Sequence, residues 1–159
     1  MKVLTLTQPW AALIAIGAKQ IETRSWYTDY RGPLAIHAAK GLQSVGGKRG
    51  FCDLVWSQPF ALVLFPGWRD ADNDDTVRAF EFGAIVATCE LVCCKNISLG
   101  SRYGWHGVAG RDWEMTDQER AFGDYTPGRY AWLLANVRKL PEPIPCKGSL
   151  GLWNYEGVL

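Results

Sequence analysis

A chain of 159 residues, 48% of them hydrophobic, has the length of one ordinary domain and enough apolar material for a continuous core. Lys and Arg total 17 against 16 for Asp and Glu, and this net charge of +1 excludes a whole-molecule attraction to phosphate or anionic lipid. Met1 to Leu4 carries no long apolar run and no segment reaches the roughly 20 apolar residues of a bilayer span, so a single soluble, monomeric, cytoplasmic unit without a membrane partner is expected.

In chain order, Lys2 to Thr5 reads as a short strand. Thr7-Gln8-Pro9 opens a helix, with a hydroxyl cap and a proline in the first turn. That helix, Pro9 to about Ile16, is apolar all round and is expected to be sunk in the core, with Gly17 as its C-terminal cap. Ile21 to Trp26 begins a second strand, and the turn Arg31-Gly32-Pro33 launches a third, Leu34 to Ala38. Alternation there pairs Leu34 with Ile36 and puts His37 on the opposite face beside Ala35, where a groove has room to open.

Gly41 to Gly50 reads as a glycine-rich loop, Phe51 to Phe65 as two short helices divided at Pro59, and Asp70 to Asp75 as an acidic turn. Phe82 to Cys93 is a long apolar, β-branched run suited to a barrel strand. Ser98 to Gly110 reads as a loop, Thr116 to Glu119 has the spacing of a capping box, and Arg129 to Lys139 is a late strand. Pro141 to Gly148 is a turn region, and Leu150 to Tyr155 closes the sheet. The fold class is α+β, mainly β, as a small barrel with a few short helices.

Five cysteines, an odd number, argue against a disulfide framework and read as buried free thiols, and neither His37 nor His106 completes a zinc-ligand spacing with Cys89, Cys93 and Cys94. Asp70, Asp72, Asp74 and Glu81 fall at positions one, three, five and twelve of a calcium loop. Asp75 occupies the sixth position, which needs glycine, so an exposed acidic loop is the better reading. No phosphate loop or dinucleotide fingerprint is present, and no cofactor is expected.

The polar block of most interest is Lys19, Glu22 and Arg24. In a regular strand an odd offset would send Lys19 and Glu22 to opposite faces, so they converge only if the chain turns after Gly17. A lysine there can meet a phosphate or polarise a carbonyl, and the carboxylate can accept from a cytosine amino group or activate water; a surface ion pair is the plainer alternative. Trp10, Trp26, Trp105 and Tyr130 offer faces on which a base can stack, Trp26 foremost, whereas Trp132 and Trp153 read as packing residues. Arg24, Arg31, Lys40, Lys48, Arg49, Arg102 and Arg129 are the basic residues expected around a groove.

The blocks Leu4 to Ala11, Gly17 to Trp26, Tyr30 to Ala39, Gly83 to Val92, Gly128 to Trp132 and Gly148 to Trp153 resemble the ASCH family, named for activating-signal-cointegrator homology. The resemblance implies a PUA-like barrel with a cleft beside the first helix and a role in RNA metabolism. The residues assigned to that cleft are Gln8, Pro9, Trp10, Lys19, Glu22, Arg24, Ser25, Trp26, His37, Lys40 and Tyr130. Single-stranded RNA, or a nucleobase or nucleoside, is the implied partner.

One branch of the family hydrolyses N4-acetylcytidine, and other members are described as ribonucleases. The hydrolytic alternative would use Lys19, Glu22 and Glu119. That branch carries threonine where this chain has Glu22, which favours recognition over catalysis, and the capping-box spacing gives Glu119 a purely helical explanation. The ribonuclease alternative would pair Lys19 with His37.

Overall fold

The computed structural model describes residues 1–67, 72–108 and 110–158. Its centre is a six-stranded mixed sheet in the order β2-β7-β4-β3-β1-β8, built from β1 Lys2–Leu6, β2 Ile21–Arg24, β3 Gly32–Ala38, β4 Ala84–Asn96, β7 Tyr130–Pro145 and β8 Leu152–Asn154. β1 runs parallel to β3 and antiparallel to β8; the other pairs are antiparallel. Register shifts in β3 and at three points along the β4–β7 ladder bend the sheet, as bulges do. The class is α+β and mainly β, as the strand-rich sequence leads one to expect.

Helix α1, Trp10–Ala15, buries Ala11, Leu13, Ile14 and Ala15. Ala11 and Ile14 join Leu4, Leu34, Ile36, Val86, Leu91 and Trp132 in the main core, which explains a helix with no polar face. Gly17 takes a left-handed φ of 76°, and the returning chain bonds back onto the helix, with the N–H groups of Ala18 and Lys19 donating to the Leu13 carbonyl at 2.9 and 3.1 Å. This turn folds Lys19 inward.

Between β3 and β4 lies a helical excursion of a 3₁₀ turn, Gln43–Val45, then α2 Gly47–Trp56, α3 Phe60–Leu64 and α4 Asn73–Arg78. The helical break expected at Pro59 is present. The expected glycine-rich loop, however, yields to α2 from Gly47 onward, because burial of Phe51, Cys52 and Val55 outweighs the low helix propensity of Gly47 and Gly50. The acidic turn is likewise a helix start: the Asp72 carboxylate accepts from the N–H groups of Asp74 and Asp75, both at 2.8 Å. Asp74 pairs with Lys48 and Asp75 with Arg78, so these carboxylates serve a helix and its neighbours. Asp70 lies outside the described residues.

Ser98 to Gly110 is not a plain loop. A 3₁₀ turn, Leu99–Tyr103, leads into β5 Gly104–Val108, which pairs with β6 Arg111–Glu114 as a separate hairpin carrying Trp105 opposite Trp113. A Cβ on Gly104 would lie 1.9 Å from the Trp113 carbonyl oxygen, so only glycine permits this approach. Helix α5 is Asp117–Ala121. β7 runs to Pro145, through the region expected to turn at Pro141. β2 covers the other side of β7 only from Tyr130 to Leu133, so the later prolines need not donate there. Among the cysteines, Cys52, Cys89 and Cys94 are buried but Cys93 and Cys146 are only half-buried, a correction to uniform burial. No helix among the described residues is long and apolar enough to cross a membrane.

Candidate functional site

Two polar clusters flank the four residues of β2 and abut each other at Gly123, a cleft residue on which an added Cβ would lie 3.2 Å from Lys19 Nζ. On the first flank, Lys19 is completely buried, and its Nζ donates to the Ile21 carbonyl at 2.5 Å and to Glu119 Oε1 at 3.5 Å. Glu119, from α5, is itself 6% exposed and accepts further bonds from the N–H groups of Gln20 (2.9 Å) and Ile21 (3.3 Å) and from the Tyr125 hydroxyl (2.9 Å). The Tyr125 hydroxyl also lies 3.3 Å from the Ile21 carbonyl, and burial, reinforced by the Glu119 charge, raises the phenol's pKa above its usual range. A buried ammonium is thus neutralised and hydrogen-bonded on the spot, which is what makes its burial tolerable.

The capping-box explanation of Glu119 is half right. Thr116 Oγ1 does accept from the Glu119 N–H at 3.0 Å, but the Glu119 carboxylate leaves its own helix and reaches β2, about a hundred residues back along the chain. That reach is invisible in a local sequence pattern.

On the second flank is a cleft of about 360 Å³ lined by Trp10, Glu22, Thr23, the 121–124 segment and Arg129. Glu22 and Arg24 share a strand face, two residues apart, and Arg24 Nε stands 3.3 Å from Glu22 Oε1. The same guanidinium donates from Nη2 to the Thr5 carbonyl at 2.9 Å, tying β2 to β1. The Thr23 hydroxyl accepts the Asp124 N–H at 3.2 Å. Arg129 is held beside the cleft by the Asp124 carboxylate at 3.2 Å and by the Asp124 carbonyl at 3.1 Å. Hydrogen bonds from Thr126 first, then the Arg129 charge, hold the Asp124 carboxyl below its ordinary pKa.

The other expected site residues divide sharply. Trp10 lines the cleft, with its body against Leu13, Phe60 and Phe122. Gln8 is buried and fully engaged, donating to the Glu81 carbonyl at 2.7 Å and accepting from the Ala12 N–H at 3.0 Å, and Pro9 beside it is buried too. Trp26 is half-buried edge-on against Trp132, centroids 4.6 Å apart, and Tyr130 meets the exposed Tyr27 at 5.6 Å; neither ring lines the cleft. Ser25 is exposed at the end of β2.

His37 does not open onto a groove. It is 1% exposed, 3.1 Å from the Cys146 carbonyl through Nε2, packed edge-on against Trp153, and so close to Gly148 that a Cβ there would lie 2.5 Å from its ring. Burial lowers its pKa. Both faces of β3 are covered, since helix α1 packs on one and β8 with the 146–148 segment on the other, so alternation alone misplaces this residue. His37 and Lys19 consequently share no partner.

The expected ring of basic residues is also dispersed. Lys40 is exposed beside Gly83, Lys48 pairs with Asp74, Arg49 is exposed on α2, and Arg31 bonds the carbonyls of Thr28 (2.8 Å) and Tyr30 (2.6 Å). The Arg102 side chain lies outside the described residues. Among the described residues of this set, Arg129 lines the cleft and Arg24 stands beside its Glu22. Sequence reasoning missed Thr23, Phe122 and Asp124 as wall residues, although Asp124-Tyr125-Thr126-Pro127-Gly128 has the composition of a tight turn delivering Arg129 to β7.

A bent mixed sheet with short helices laid on it, and a polar cleft between its first helix and a short strand, defines a small, mainly-β α+β fold. The ASCH domain model matches residues 4–144, and the chain belongs to the ASCH family. It is 54% identical over 158 residues to mouse (Mus musculus) activating signal cointegrator 1, covering 98% of this chain but 22% of that protein. The human (Homo sapiens) protein of the same name matches at 54% over 35 residues, 22% of this chain and 6% of its own length. The chain therefore spans about a fifth of the mouse relative. A crystal structure of an ASCH protein from Zymomonas mobilis covers 91% of this chain and 72% of its own, with a TM-score of 0.46 at 14% identity.

Proposed function

We propose that the cleft between α1 and β2 binds a nucleobase, presented by single-stranded RNA, as part of RNA metabolism. The observation that carries this reading is the composition of one cavity: an indole (Trp10), a carboxylate (Glu22) and a guanidinium (Arg129) around about 360 Å³. An aromatic face supplies stacking, the carboxylate reads a base edge, and the arginine at the mouth meets the backbone phosphate. Near-zero net charge agrees with a local contact of this sort, one base and one or two phosphates, rather than a long electrostatic track. Compared with the reading from sequence, Trp10 replaces Trp26 as the stacking face and Arg129 replaces Lys19 as the phosphate contact, because Lys19 has no exposed surface.

The test is titration of the full chain with short single-stranded RNAs. Wild type binds with salt-dependent affinity, and Trp10→Ala weakens binding; binding that survives both Trp10→Ala and Arg129→Ala unchanged rejects the cleft.

Hydrolysis of an acylated nucleoside is the second reading, and the ammonium of Lys19 beside the Glu119 carboxylate is the observation that favours it. It is the weaker one. Glu119 already accepts from Lys19, Gln20, Ile21 and Tyr125, so its oxygens are occupied by protein donors instead of being free to take a hydrogen bond from an attacking water. Incubation with N4-acetylcytidine, followed by chromatography, should show no turnover above buffer.

A further inference from the structure

The two carboxylates that flank β2 are buried to almost the same degree and treated oppositely. Glu119 receives four hydrogen bonds. Glu22, 7% exposed, receives none among the described residues. Its charge is answered, because Arg24 Nε is 3.3 Å away, but that nitrogen is itself buried with no hydrogen-bond partner among the described residues, so the pair is an ion pair out of hydrogen-bond alignment. Across the β2–β7 ladder from Glu22 stands Trp132, whose indole Nε1 is also buried, with no partner among the described residues.

The Glu22 oxygens are not among the buried unpaired atoms: they keep their exposure at the cleft wall, so a ligand that fills the cleft must replace their water with donors of its own or leave a covered carboxylate unpaired. The charge balance narrows which donors fit. A cationic ligand would add a second positive group beside Arg24, whereas a neutral N–H donor fills the lone pairs without disturbing the pair.

Resting on the nucleobase reading of the cleft, we infer that Glu22 makes it selective for bases whose edge presents an amino group, cytosine foremost among pyrimidines, and discriminates against uracil. Cytosine offers its N4 amino hydrogens to a carboxylate; uracil offers at the same position a keto oxygen, which would bring two acceptors together with no proton between them. The discrimination is strong for the usual reason: the penalty falls on the wrong ligand as an unpaired buried acceptor.

Equal-length oligocytidylate and oligouridylate share charge, backbone and ring size, so the ratio of their affinities isolates the base edge. Titrated by fluorescence anisotropy at neutral pH, the full chain should bind the cytosine oligomer at least about tenfold more tightly. Glu22→Gln should bring the ratio close to one, because a carboxamide can turn to offer either a donor or an acceptor. An oligomer whose cytosines carry two methyl groups on N4 should bind wild type no better than oligouridylate, a comparison that needs no variant to fold.

Equal wild-type affinity for the two oligomers, with both lost in Trp10→Ala, overturns the selectivity and leaves the cleft reading in place. Binding of neither oligomer, or binding indifferent to Trp10→Ala, overturns both.

Discussion

The two flanks of β2 use the same chemistry, a carboxylate near a cation, to opposite ends. Around Lys19 every polar atom with an assigned role is matched: ammonium to carbonyl and carboxylate, carboxylate to two backbone N–H groups and a phenol. Around Glu22 the charge is balanced, but Arg24 Nε and Trp132 Nε1 are buried with no partner among the described residues, and the carboxylate itself faces the cleft. Satisfaction of this kind separates a strut from a receptor better than residue type does, since Lys, Glu and Arg stand on both sides.

The comparison is broken most forcefully at Glu119. Glu119→Ala strands the buried Lys19 ammonium and should cost about 3–5 kcal/mol in chemical denaturation, whereas Glu22→Gln, beside a partly exposed arginine, should cost less than about 1 kcal/mol. If the two losses were equal, the distinction between strut and receptor would collapse. Trp10→Ala comes next, with about 1–3 kcal/mol of RNA affinity lost in the same titration that reads selectivity. Arg129→Ala should act more gently, lowering the slope of log affinity against log salt by about 0.7 while leaving base preference intact.

The smallest effect is expected at His37, a buried polar group belonging to neither flank. Nε2 faces the Cys146 carbonyl while Nδ1 is buried with no partner among the described residues, so a second proton finds no acceptor there. Its folded pKa is lowered from 6.5, chiefly by burial. The unfolded chain therefore binds the proton more tightly, and the stability from this group is complete above pH 6.5 and declines as pH falls through that value. Thermal melts of wild type across this window should decline more steeply than those of His37→Gln.

Much of the fold was legible because its signals are local: the apolar helix after Gln8, the Gly17 turn, the break at Pro59 and the Thr116 cap each depend on neighbouring residues. The site was legible only to the level of the Gly17 to Trp26 block. That Lys19 turns inward while Glu22 turns to a cleft depends on Glu119 and Arg129 arriving from the far end of the chain. The hairpin of Trp105 and Trp113 was hidden for a related reason: cross-strand pairing of two aromatic, glycine-rich stretches leaves no periodicity in either one. His37 shows the converse, where correct alternation led to a wrong surface because β3 is covered on both faces.

The strut has one more consequence. β2 is the terminal strand of the sheet, and at Ile21 it turns an N–H and a carbonyl away from β7; Glu119 takes the first, and Lys19 and Tyr125 take the second. Three side chains thereby do the work of an absent neighbouring strand and close an edge on which another chain would otherwise zip. Seen this way, the Lys19–Glu119 pair guards solubility as well as shape, and a protein that loses it should self-associate through β2 before it loses the rest of its sheet.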